Sequence, residues 1–195
     1  TGCITVNLGN NSEKETSKIE KKTTDEKNNS SEKEENKSNK NDNSKITIVI
    51  DPGHSSTGTS GNEPVSPNSS TTKLKDGLGA TGEFTNIPEH KTNMSVALLL
   101  KEDLISRGYN VVLTKESVSE SKSNIERAEV GNKNNANLVV RIHADSCEDK
   151  GVNGASIHVP AKNEYTSNFY DICKSYGTKI INTYTKEVNI KNRGV

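Results

Sequence analysis

The first 45 residues are almost devoid of aromatic and branched apolar side chains; beyond them, apolar positions arrive in short, regular groups. Residues 46–50, ITIVI, form a β-branched run ended by Asp51, Pro52 and Gly53. A run of this kind bounded by turn residues predicts a buried strand. Residues 55–87 are rich in Ser, Thr, Gly and Pro and predict a long loop, which in a compact domain usually serves function. Within it, Asp76-Gly77-Leu78-Gly79-Ala80-Thr81-Gly82 would let the backbone come close to a ligand. Pro88 suits the first position of a helix. Met94, Ala97, Leu98, Leu100, Leu104 and Ile105 then recur at helical spacing, and Arg107-Gly108 supplies a basic last turn and a stop.

Residues 109–114, YNVVLT, predict a second strand, and residues 123–135 a second helix with Ile125, Ala128 and Val130 inward. ANLVVRIHA, 136–144, predicts a third strand, and GASIHV, 154–159, a fourth. Residues 166–188 predict a long helix with Phe169, Ile172, Cys173, Tyr176, Ile180 and Tyr184 on one side. Strands alternating with helices predict an α/β fold. Residues 191–195 follow without a recognisable closing element, so the domain is expected to continue past Val195.

Composition narrows the picture. The chain has 195 residues, 26 basic and 26 acidic, and no formal net charge. That balance argues against a nucleic-acid partner held by phosphate contacts. No apolar run approaches the roughly 20 residues needed to cross a bilayer. Residues 7–44 mix Lys, Glu, Asn, Ser and Thr and cannot bury enough apolar area to offset the entropy of ordering. The expected organisation is therefore a disordered tether over residues 1–44 and one folded domain over 45–195, incomplete at its C-terminus. The 3 cysteines have no regular spacing and do not read as a disulfide framework. Cys147 and Cys173 read as free thiols. Cys3 follows Thr1-Gly2, which resembles the end of a bacterial lipobox, so Cys3 is a candidate lipid anchor; the bland alternative is an incidental cysteine in a tail.

Three residues of ligand type stand at element ends: His54 after the first strand, Glu89 in the first turn of a helix, and His143 at the end of the third strand. Carboxyl ends of neighbouring strands and the helix mouth beside them converge on one edge of an α/β sheet. Two imidazoles and one carboxylate, with a fourth position left to water, make a catalytic zinc set rather than a closed structural one. Spacing alone leaves the alternative of loop histidines with local roles. His90 follows Glu89 and points about 100° away around the helix, which sets it aside as a ligand. His158 alternates with Ile157 in a strand and reads as structural. Asn93, one turn beyond Glu89, can orient that carboxylate. Arg127 reads chiefly as a pin between helix and sheet, with substrate contact as the alternative.

Several motifs surround these positions: Ile50-Asp51-Pro52-Gly53-His54; Glu89 with Asn93 and the helix Ser95-Val96-Ala97-Leu98; Val111-Val112-Leu113-Thr114; Glu126-Arg127-Ala128 ahead of Asn132; and Ala136-Asn137 with Arg141-Ile142-His143-Ala144-Asp145. In this order and over nearly the whole folded segment, they resemble the zinc-dependent N-acetylmuramoyl-L-alanine amidases of the type-3 amidase family, which cleave bacterial peptidoglycan. The resemblance implies a mixed sheet flanked by helices, Zn2+ as cofactor, and His54, Glu89 and His143 as its ligands. It also implies a second glutamate as general base, in a later strand reading roughly Val-Glu-Met-Gly. No such strand precedes Val195, so that glutamate is expected after it, and a chain ending at Val195 is expected to bind zinc without cleaving.

Two function classes follow. One is a zinc amidase of the bacterial cell envelope, acting outside the cell on peptidoglycan and touching a membrane only through a lipid on Cys3. The other is a wall-binding module that holds glycopeptide without cleaving it. A zinc peptidase acting on the stem peptide is a further alternative.

Overall fold

The computed structural model describes residues 2–7, 42–149 and 151–195, with side chains from residue 42 onward. Its centre is a five-stranded mixed sheet in the order β5-β2-β6-β1-β7. The strands are β1 (Gly2–Asn7), β2 (Thr47–Pro52), β5 (Asn110–Leu113), β6 (Leu138–His143) and β7 (Ala155–His158). Two further strands, β3 (Thr59–Pro64) and β4 (Thr72–Asp76), form a separate antiparallel hairpin. The helices are α1 (Glu89–Ser106), α2 (Asn124–Lys133) and α3 (Tyr170–Glu187). The α/β class and the mixed, helix-flanked sheet are as expected.

Strand β2 is buried on both faces, which is what its Ile48-Val49-Ile50 run requires. It pairs in parallel with β5 on one side and β6 on the other. Alternation divides the labour between its faces. Ile48 and Ile50 pack with Ala97 of α1, Leu113, Val140 and Ile142. Asp51, of the other parity, meets Arg127 of α2, and Gly131 of α2 lies against Val139 of β6. The two helices thus cover opposite faces, and β2 ends between two parallel neighbours, where α/β sheets open a crevice.

The helices bury narrower stripes than the sequence pattern suggests. In α1, Met94 and Ala97 are buried and Leu100 and Leu104 pack against the core, but Leu98 and Ile105 are exposed. In α2 the inward positions are Arg127 and Gly131, not Ile125 or Ala128. These two positions, four residues apart, face the sheet because Arg127 has an ionic partner there and Gly131 allows close approach. In α3 the buried positions are Cys173, Gly177, Ile181 and Thr185, while Ile172, Tyr176 and Tyr184 stay exposed. Helix α2 begins with a reciprocal cap: Ser123 Oγ accepts from Glu126 N–H, and Ser123 N–H donates to Glu126 Oε2.

Three features add to the expectations. Within the segment read as a tether, Gly2–Asn7 forms a strand between β6 (antiparallel) and β7 (parallel). Its backbone supplies both neighbours with ladder partners, which a sequence scan for a folded core beginning near residue 45 overlooks. The rest of that segment, 8–41, lies outside the described residues. The polar stretch 55–87 contains the β3–β4 hairpin rather than loop alone. Finally, residues 191–194 lie along β7: Arg193 N–H donates to Ala155 carbonyl and Ala155 N–H to Lys191 carbonyl.

Candidate metal centre

His54 follows β2 across Pro52 and Gly53, and its backbone adopts a left-handed conformation (φ 62°) uncommon for a residue other than glycine. The conformation is held from several directions. His54 Nδ1 makes a 2.8 Å hydrogen bond with the Gly77 carbonyl, which fixes the ring and leaves Nε2 available. The buried Lys115 ammonium donates to the His54 carbonyl. Beside it, Ser55 Oγ donates to Asp76 Oδ2 (2.8 Å) and accepts from Gly58 N–H (2.9 Å), tying the loop to the end of β4.

Glu89 is the first residue of α1, preceded by Pro88 in extended conformation as the cap residue. Its carboxylate is buried and engaged on both oxygens. Oε2 accepts from Ala80 N–H (2.9 Å), and Oε1 accepts from Ala144 N–H (2.9 Å) and from Asn93 Nδ2 (3.3 Å). Asn93 also donates to the Gly53 carbonyl at 3.2 Å, so one side chain links the ligand helix to the loop carrying His54. Burial works against ionisation of Glu89. The hydrogen bond with His143, the two backbone donors and the nearby His54 outweigh it, and push the pKa down to about 2. The carboxylate is therefore charged at neutral pH, as a ligand must be.

His143 ends β6 and brings Nδ1 to 3.0 Å from Glu89 Oε1, while His54 Nε2 lies 3.5 Å from Glu89 Oε2. The two rings meet edge to face with centroids 4.7 Å apart. Ligand atoms of all three residues lie within 4.8 Å of one another. Four ligands of a tetrahedral zinc, at bonds near 2.0 Å, stand roughly 3.3 Å apart, so the donor set fits zinc in both chemistry and spacing. Magnesium and calcium prefer all-oxygen sets. The cluster opens into a cleft of about 430 Å³, whose wall includes Gly79, Ala80, Asp145, Ser146, Cys147 and Arg193.

The remaining candidates fall elsewhere. His90 is buried with Nδ1 unpartnered and is not part of the cluster. His158 is exposed on β7 and lines a different recess. Arg127 lies 3.5 Å from Asp51 Oδ1 and donates to Asn124 Oδ1 at 2.7 Å, pinning α2 to β2. The glycine-rich stretch approaches the ligands themselves: Gly77 holds His54, and a Cβ on Gly79 would lie 2.7 Å from His54 Cδ2 and 2.9 Å from Glu89 Oε2. Lys115 was not legible in the sequence, because only the fold brings β5's end under the His54 loop.

A solved structure shares this architecture. Ami1 from Mycobacterium abscessus, an N-acetylmuramyl-L-alanine amidase, superposes with a TM-score of 0.51 at 22% identity, over 71% of this chain and 68% of that one. Ami1 from Mycobacterium smegmatis gives a TM-score of 0.43 at 18% identity, over 48% of this chain and 44% of that one. The chain thus spans less than half the length of the latter. No curated protein sequence matches it. Residues 48–195 match the Amidase_3 family, described as N-acetylmuramoyl-L-alanine amidase, and the chain belongs to that family.

Proposed function

We propose that the chain is the zinc-binding part of a hydrolase that cleaves the amide bond between N-acetylmuramic acid and L-alanine in peptidoglycan. The observation that carries this reading is the convergence of His54, Glu89 and His143, the first two of which line an open cleft. Family membership supports the choice of substrate. A zinc ion held by these residues supplies Lewis acidity, which polarises an amide carbonyl and acidifies water. The chain's own work is to hold the three donors in place. Gly77 and Lys115 fix His54, the Ala80 and Ala144 amides and Asn93 fix Glu89, and the end of β6 presents His143. Glu89 is engaged on both oxygens and assigned to the metal, and in this proposal a glutamate after Val195 takes and returns the proton.

Dye-labelled peptidoglycan distinguishes the alternatives. A longer chain, extended past Val195, is expected to release dye and to expose new L-alanine amino termini. Release with new termini inside the stem peptide would indicate a peptidase. Binding without release by the longer chain would indicate a wall-binding module.

The proposal also covers placement: an envelope protein acting outside the cell, tethered by residues 1–44 and anchored through a lipid on Cys3. In this structure Cys3 stands in β1, opposite His143 in register. Cell fractionation decides. Cys3→Ala is expected to move the protein from membrane to medium, and unchanged fractionation would remove the anchor from the proposal.

A further inference from the structure

On the α2 side of the sheet lies a second cavity of about 620 Å³, and none of its lining residues lines the metal cleft. Its charged lining is unbalanced. Lys73 of β4, Arg127 of α2 and Arg141 of β6 contribute three cations, and Asp51 is the single acidic residue among the lining. Asp51 is already fully used: Oδ1 accepts from Thr114 Oγ1 (2.6 Å) and faces Arg127, and Oδ2 accepts from Arg141 Nε at 2.5 Å. The nearby Glu63 is committed to the backbone N–H groups of Asn124 and Ile125 at the start of α2.

What remains unsatisfied is positive. Arg127, 4% exposed, has a buried Nε with no hydrogen-bond partner. Lys73 has no hydrogen-bond or ion-pair partner among the described residues, and burial together with Arg141 and Arg127 lowers the pKa of its ammonium, with Glu63 pulling the other way. Around the two guanidinium groups the rim carries apolar side chains beside Lys73. Val65, Ile125 and Tyr165 are each more than 40% exposed, with Pro67 and Phe169 beside them. Apolar side chains left in water around a cationic floor mark a place that a ligand can fill.

We propose that this cavity binds the carboxylate of a ligand whose adjoining group is alkyl or aryl, of the class of an acylated amino acid or a peptide with a free carboxyl terminus. A planar carboxylate matches guanidinium donors, and Lys73 supplies a mobile point charge at the rim. A phosphate meets the cations equally but gains nothing from Val65, Ile125 and Tyr165.

The test is calorimetric titration of the full chain with N-acetylphenylalanine, with its carboxamide, and with inorganic phosphate. The free acid is expected to bind at least about tenfold more tightly than the amide, the range expected for a hydrogen-bonded charge. Lys73→Gln, at an exposed position, should lose about tenfold for the acid and change little for the amide. Tyr165→Ser should weaken both. His54→Ala should leave the acid's affinity unchanged, so failure of the zinc reading leaves this result standing. Equal affinity for acid and amide, tighter binding of phosphate than of the acid, no effect of Lys73→Gln, or no binding by protein shown by circular dichroism to be folded would each overturn the proposal.

Discussion

The ring of His143 occupies the space where a side chain on Gly53 would begin. A Cβ there would lie 2.5 Å from Nε2 and 2.6 Å from Nδ1 of that ring. Glycine precedes His54 because the histidine ring from the neighbouring strand lies directly over the backbone, and that ring is itself held by Glu89. Gly53→Ala is therefore expected to displace His143 and to lose most bound zinc although all three ligands remain. Elemental analysis after dialysis reads the result, and a full equivalent of zinc in this variant would contradict the packing described.

Removal of the ligands themselves should separate three residues from the other histidines. His54→Ala and His143→Ala should each lose most of the metal, because two remaining ligands rarely hold zinc. Glu89→Ala should retain part, since water can take a vacated oxygen position. His90→Ala and His158→Ala should keep nearly a full equivalent, because neither side chain belongs to the cluster. Retention by His54→Ala together with loss by His90→Ala would reverse the assignment.

Asn93 bonds at once to Glu89 Oε1 and to the Gly53 carbonyl, so its effect reaches zinc only through those groups. Asn93→Ala is expected to weaken zinc affinity by roughly 10- to 100-fold, the range for lost supporting hydrogen bonds, while stoichiometry at saturating zinc stays at one. Competition with a chromogenic chelator measures the affinity. Unchanged affinity would show that the backbone amides of Ala80 and Ala144 suffice.

Asp51 joins β2 to α2 and to Arg141 of β6. Burial opposes its ionisation, but Arg141, Arg127 and the Thr114 hydroxyl outweigh that and hold its carboxyl below the usual 3.8. Asp51→Asn leaves two guanidinium groups without their anion and should cost about 3 to 5 kcal/mol in urea unfolding at pH 7. Because the folded pKa is the lower one, the stabilisation is complete above pH 3.8 and fades as pH falls towards the folded value. The gap between wild type and variant should therefore close in acid. A gap that widens on acidification would mean that the carboxyl is neutral in the folded protein.

The grouping of His54, Glu89 and His143 was largely legible in the sequence because these residues sit at element ends that local chemistry defines. A β-branched run stopped by Asp-Pro-Gly presents His54, and the helix beginning after Pro88 presents Glu89. The apolar run ending at His143 completes the set once parallel pairing brings β6 beside β2. The α/β class followed from the same periodicities. Local pattern could not decide which way each helix turns, since α2 turns Arg127 inward on account of Asp51, 76 residues away, and leaves Ile125 outside. Nor could it find Lys115 beneath His54, the two guanidinium groups around Asp51, or a sheet position for Gly2–Asn7. Those depend on pairings between distant segments, and a burial preference read from hydrophobicity alone has no means of anticipating a buried charge that finds its partner only in the fold.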